Sequence, residues 1–145
     1  MKAVVQRVSS ASVGVAGECV GEIGPGLLVL LGLDRGDDRA SAQRMVERLL
    51  AYRLFPDDDG RMNRSVSDTG GGVLLVSQFT LSADTRRGLR PGFSGAMPPE
   101  EARALYQFTL NELQRRHGPV AAGVFGADMQ VSLVNDGPVT FILEG

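Results

Sequence analysis

Few side chains in this 145-residue sequence could do covalent chemistry, and that scarcity narrows the reactions open to it. It has one histidine, His117, and one cysteine, Cys19. Any Ser-His-Asp or Cys-His arrangement would have to use His117. That residue lies where a helical segment ends, and the helix dipole favours a cation there, so a capping role is the plainer reading. One Cys and one His cannot build the usual Cys/His zinc site. Asp57, Asp58 and Asp59 lack the twelve-residue spacing ending in Glu that a calcium loop needs, so they read as a surface turn. Neither a P-loop nor a GxGxxG stretch occurs, which leaves nucleotide hydrolysis and dinucleotide chemistry without support. No cofactor or metal is implied.

Two polar stretches remain. Ser77-Gln78-Phe79-Thr80 follows the apolar run VLLV and is read as the end of a strand over 73–81. Buried hydroxyls and amides there need partners, because each one left unpaired costs about 1–3 kcal/mol. Taken alone, they satisfy the neighbouring backbone as the chain enters the loop 82–96. The second stretch is Asn135-Asp136-Gly137-Pro138-Val139-Thr140. Asp-Gly between apolar segments signals a two-residue hairpin turn, and Pro138 suits a strand start or edge. Considered locally, the Gly137–Pro138 bond is expected to be trans.

The elements that must hold these stretches are legible from periodicity. Residues 2–8 and 11–15 read as one bent strand or two. A turn at Ala16-Gly17 leads to a strand over 18–23, and LLVLLGL (27–33) reads as a strand covered on both faces. Together these suggest a meander. A helix follows, with Asp37 and Asp38 in its first turn, Ala42, Met45, Val46, Leu49 and Leu50 inward, and its end near Arg53. A second helix starts at Pro98-Pro99, carries Glu100 and Glu101 at its positive end and Arg115 and Arg116 at its negative end, and stops at Gly118-Pro119. Its buried stripe is Ala102, Leu105, Tyr106, Thr109, Leu110 and Leu113. Strands near 122–126, 128–134 and 138–143 complete the chain. The expected fold is α/β, one compact domain over 1–145 with mixed β-sheets layered against two main helices.

A hydrophobic content of 43% and a charged content of 22% fit a globular domain. The lone cysteine excludes an internal disulfide and suits a reducing compartment. The start lacks a secretory pattern, and no apolar run is long enough for a membrane span, so a cytoplasmic protein without membrane contact is expected. A net charge of -2 argues against coating nucleic acid over a broad surface. It leaves room for gripping one RNA end through a local patch, and Arg86, Arg87 and Arg90 offer one, although a solvated loop is the simpler reading.

Taken together, SQFTL (77–81) and NDGPVT (135–140) resemble the two signature motifs of the D-aminoacyl-tRNA deacylase family, in the family's order. VVQRVSSASV (4–13), GEIGPGLLVLLG (21–32), ADTRRGLRPGF (83–93) and ADMQVSLVNDGPVT (127–140) extend the resemblance over almost the whole chain. The resemblance implies a homodimer that hydrolyses the ester joining a D-amino acid to the 3′ acceptor end of tRNA. It also implies action on glycine, including glycine mischarged on an alanine tRNA. Ser77, Gln78, Phe79 and Thr80 would line the catalytic pocket. Gly137 and Pro138 would form a cis dipeptide reaching into the other subunit's pocket, flanked by Val139 and Thr140 and oriented by Arg7. Phe125 and Met129 would be adenine contacts.

Two chemical versions are open. Thr80 could attack and form an acyl-enzyme, although the sequence offers no evident activating base. Alternatively, water attacks with help from the tRNA 2′-hydroxyl, while N–H groups near Phe79 and Thr80 hold the oxyanion. The second is favoured, since the substrate is an activated ester. Competing readings are a related deacylase of L-alanyl-tRNA(Thr) with a trans proline, a non-catalytic RNA-binding module using the Arg86–Arg90 loop, and a structural dimer.

Overall fold

The computed structural model describes all of residues 1–145. Its first element, β1 (Lys2–Val15), is a single long strand, and most of the sheet is organised around it. After the turn at Ala16-Gly17, β2 (Glu18–Ile23) runs back along residues 11–15. Past Gly24-Pro25, β3 (Gly26–Gly32) continues the return along residues 2–8. The meander expected from the sequence is therefore one long hairpin whose returning arm is broken in the middle. β3 then takes β6 (Gly72–Ser77) as a parallel neighbour, and β6 takes β7 (Val120–Ala122) the same way.

Parallel neighbours need crossovers, and these carry the helices. α1 (Arg39–Ala51) lies between β3 and β6, together with the small hairpin β4 (Phe55–Pro56) and β5 (Met62–Arg64) and the one-turn helix α2 (Val66–Thr69). α3 (Pro99–Arg116) lies between β6 and β7. The inward residues of α1 and α3 are those expected from their spacing. Asp38 turns out to be the N-cap of α1, in a capping box with Ser41, and the first turn itself holds no acid. Asp57 accepts from the N–H groups of Asp59 and Arg61 and from the Asn63 amide, so the acidic run builds the β4–β5 turn.

Both faces of the sheet are buried, by different means. Ala3, Val5, Leu27, Val29, Leu31, Val73 and Leu75 pack under the helices. Val8, Ala11, Val13, Ile23, Leu28, Leu74 and Val76 form a second cluster on the other face. The sheet covers that cluster by curling on itself. β2 comes so close to β7 that a Cβ on Gly21 would lie 2.8 Å from the Ala122 carbonyl oxygen. Alternation along β1 changes phase between Val5 and Ala11, and the β1–β8 ladder carries register shifts there. One strand can thus feed both clusters.

The last strand, β8 (Gln130–Glu144), differs most from expectation. Two strands joined by a hairpin at Asp-Gly were read from the sequence; one strand is present, antiparallel to β1 over its whole length. Asn135 faces Val8 and Thr140 faces Gln6, so Asp136–Val139 bulge out against the single residue Arg7. The chain does not reverse there. β8 pairs only with β1, which leaves its outer edge open.

Candidate active site

The carboxyl ends of β3, β6 and β7 lie together at one end of the sheet, where open α/β sheets commonly bind ligands. β6 stops at Ser77, earlier than the strand expected over 73–81. The Gln78 N–H still donates to the Leu31 carbonyl at 2.8 Å, and Phe79–Ser82 then wind into a single 3-10 turn. Bonds in such a turn run from residue i+3 back to i, so the N–H groups of Phe79 and Thr80 have no acceptor inside it. The Gln78 side-chain amide donates to Thr80 Oγ1. That bond uses a lone pair of the hydroxyl and leaves its proton free to be donated outward.

No carboxylate, imidazole or amine contacts Thr80, so the hydroxyl has no general base. Phe79 is 63% exposed, and its ring is tilted against that of Phe93 with centroids 5.1 Å apart. Phe93 belongs to a loop pinched shut by reciprocal backbone bonds between Asp84 and Gly92, at 2.7 and 3.0 Å. Phe93 was not among the residues expected at the site; an aromatic in a Gly-rich loop gives no sign of where it will stack.

Phe125 and Met129, the expected adenine contacts, flank the end of β6 from opposite faces. Phe125 packs beside Tyr106 with centroids 5.6 Å apart, and the Arg103 guanidinium sits 4.9 Å above its ring. Met129 packs against the second core cluster, its sulfur 2.6 Å from where a Cβ on Gly123 would lie. Tyr106 donates its hydroxyl to the Leu75 carbonyl at 3.1 Å, and burial pushes its pKa up to about 12.

The second stretch forms a well-braced projection. Arg7 Nε donates to the Asp136 carbonyl at 3.1 Å, and Arg7 Nη1 donates to the Leu54 carbonyl at 2.7 Å. Asn135 spans the bulge, its amide donating at 2.9 Å to the carbonyls of both Arg7 and Val139. Gln6 donates to Thr140 Oγ1 at 3.2 Å. Val139 is buried, so it anchors the bulge in the core, while Gly137 and Pro138 are exposed. The peptide bond between them is cis, as the resemblance implied and the local reading did not. Gly137 has φ +145°, and a Cβ there would meet Val139 Cγ2 at 2.6 Å, so only glycine fits. Asn135, which braces the bulge, was not among the site residues singled out from the sequence.

The two stretches do not meet within one chain. Ser77 aligns through Leu31 with Ala3, whereas the bulge sits over Arg7, four residues further along β1. Adding the three strand steps from β6 through β3 and β1 to β8 puts them roughly 20 Å apart at usual sheet spacings. His117 takes no part; its Nε2 lies 2.6 Å from the Gly71 carbonyl oxygen, tying the end of α3 to the start of β6.

The family model for D-Tyr-tRNA(Tyr) deacylase matches residues 4–144. The chain belongs to that family. Membership places it among the hydrolases. A D-aminoacyl-tRNA deacylase of Stutzerimonas stutzeri is 60% identical over 144 residues, covering 99% of each chain, and one of Azotobacter vinelandii is 61% identical with the same coverage. Among solved structures, the c-Myc DNA unwinding element binding protein superposes with a TM-score of 0.95 at 44% identity over 100% of this chain and 99% of its own. A probable eukaryotic D-amino acid tRNA deacylase shares the fold, with a TM-score of 0.86 at 16% identity over 98% and 97% of the two chains. No helix of this deacylase-family chain is long and apolar enough to cross a membrane.

Proposed function

We propose that the protein hydrolyses the ester of D-aminoacyl-tRNA, at a site where the Ser77–Thr80 segment of one subunit faces the Gly137-Pro138 projection of a second. What carries this is their placement three strand steps and four residues apart within one chain, roughly 20 Å at usual sheet spacings, while each has the features of a site wall. One is a polar turn with unused N–H groups, and the other is an exposed, firmly braced backbone. Two copies related by a twofold axis unite them twice over.

In this site the N–H groups of Phe79 and Thr80 receive the charge that develops on the ester oxygen. Losing one such donor typically costs about 10²–10³ in rate. Thr80 donates a hydrogen bond to the substrate, keeps its proton and does not attack, because its partner is an amide and not a base. Water is the nucleophile: it adds to the ester carbonyl, the bond to the ribose 3′-oxygen breaks, and the proton water gives up passes by way of the vicinal 2′-hydroxyl to that oxygen, leaving free amino acid and tRNA. The carbonyls of Gly137 and Pro138 meet the α-amino group and Cα, so an L side chain would run into backbone that Arg7 and Asn135 hold in place. Each tenfold of that rejection requires about 1.4 kcal/mol. Glycine offers no side chain to reject, so glycyl-tRNA is also cleaved, and D-amino acids are accepted whatever their side chain.

The deciding experiment is a time course with catalytic amounts of protein on D-tyrosyl-, L-tyrosyl- and glycyl-tRNA. Multiple turnovers on the D and glycyl esters with the L ester spared are expected. No cleavage of D-tyrosyl-tRNA above the spontaneous rate would end the assignment. Thr80→Ala tests the acyl-enzyme version: retained turnover removes it, whereas loss of turnover fits both versions, since Thr80 also donates to the substrate.

A further inference from the structure

The three arginines after the 3-10 turn do different work. Arg86 is locked onto Asp84 through Nε and Nη2 at 2.9 and 2.8 Å, and Asp84 also accepts from the Arg86 backbone N–H at 3.0 Å. The guanidinium holds the Asp84 carboxyl well below the usual carboxylate range. This paired unit sits at the pinch formed by Asp84 and Gly92, where it shapes the loop and adds no net charge. Arg87 and Arg90 lie beyond the pinch, exposed and without any carboxylate or carbonyl partner, on either side of a fully exposed Leu89. Phe93, just past the pinch, stacks on Phe79, so the base of the loop that carries the two free guanidinium groups is tied to the pocket turn.

The geometry points to Arg87 and Arg90 as contacts to RNA phosphates upstream of the terminal adenosine, with Arg86 serving as an internal strut and touching no RNA. This rests on the deacylase reading for its choice of ligand. On a chain with net charge -2, an attachment point for a polyanion has to be local, and here two unpaired cations stand on the loop that leaves the proposed catalytic turn and returns to it through Phe93. Cations there would hold the acceptor strand and bring the terminal ester to the Phe79 and Thr80 N–H groups. Phosphate contacts give position and affinity without reading sequence. The arginine pair is therefore a positioning device for whole tRNA and irrelevant to a substrate that ends at the terminal nucleoside.

The test compares wild type, Arg87→Ala/Arg90→Ala and the charge-cancelled pair Asp84→Asn/Arg86→Gln on D-tyrosyl-tRNA and on D-tyrosyl-adenosine, over a range of salt. Each lost phosphate contact flattens the slope of log(kcat/KM) against log[salt] by about 0.7 on single-stranded RNA or about 0.9 on duplex. The Arg87/Arg90 variant should lose about twice that slope on tRNA, through KM with kcat held, and should cleave D-tyrosyl-adenosine at the wild-type rate. Asp84→Asn/Arg86→Gln should keep the wild-type slope. A wild-type slope for Arg87→Ala/Arg90→Ala, equal losses on both substrates, or an equal slope change in the Asp84/Arg86 pair would each overturn the inference. Binding of uncharged tRNA, measured over the same salt series, tests the contact without catalysis; a wild type that binds but does not hydrolyse would refute the deacylase reading and leave this one standing.

Discussion

Asn135 and Arg7 show how much of the site depends on single amides and guanidinium groups. One Asn135 side chain bridges two carbonyls on opposite sides of the bulge. Removing it leaves both without that partner on a part-buried segment, so Asn135→Ala should destabilise the fold by about 1–3 kcal/mol, read as a shift in the denaturant midpoint. The same variant should spare L-tyrosyl-tRNA less well than wild type if the projection rejects L side chains as proposed, because it is no longer held. Unchanged stereoselectivity would remove Asn135 from the positioning role. Arg7→Lys keeps the charge but cannot reproduce two separately aimed bonds, to Asp136 and Leu54, and should lower kcat/KM on D-tyrosyl-tRNA about tenfold or more. Ser77 to Thr80 stood out in the sequence as polar residues closing an apolar strand, but only the resemblance to the family marked them as a pocket. The role of Asn135 could not be read there, since it exists only once the chain bulges around it.

Among the elements, β6 and α3 hold the pocket turn, and Tyr106 is the bolt between them. Its hydroxyl donates to the Leu75 carbonyl, two residues before Ser77, and burial favours the neutral phenol. A folded-state pKa raised above the unfolded value contributes stability below about pH 10 that is lost as pH rises toward about 12. The fold should therefore weaken by about 2–3 kcal/mol across that window, at about 1.4 kcal/mol per pH unit. Tyr106→Phe should be less stable at neutral pH yet show a flatter alkaline limb. An alkaline limb as steep as wild type would assign the loss to other groups. The helices could be read from the sequence because period, caps and breakers all agreed, down to the buried stripe of α3. β8 could not, because apolar residues on either side of Asp-Gly suit a hairpin and a bulged single strand equally. What decides is that both flanks pair with the same β1, a long-range fact absent from local sequence. The 3-10 turn was hidden for a similar reason: QFTL has strand-like residues, but the parallel ladder runs out at Ser77.

At the scale of the molecule, the unpaired edge of β8 and the proposed split site point to the same arrangement. A fifteen-residue edge strand with Leu133, Val134 and Ile142 exposed is a surface that isolated proteins usually protect. A second copy would cover it and bring each projection to its neighbour's turn. This can be tested without knowing the dimer geometry. Gly137→Ala disables the projection, since the new Cβ would collide with Val139 at a φ that suits glycine, and Thr80→Ala with Gln78→Ala disables the turn. Each variant alone should be nearly inactive on D-tyrosyl-tRNA. Unfolded together and refolded as an equal mixture, half the dimers are mixed, and each mixed dimer has one site free of both defects. About a quarter of all sites are then intact, so about a quarter of wild-type activity should return if the site is shared across the twofold axis. Were turn and projection to work within one chain, every site in the mixture would carry a defect and nothing would return. Recovery near that fraction, scaling with mixed-dimer content as the ratio of the two variants is varied, therefore measures how the site is divided between subunits, and a flat zero with both variants folded rules the shared site out.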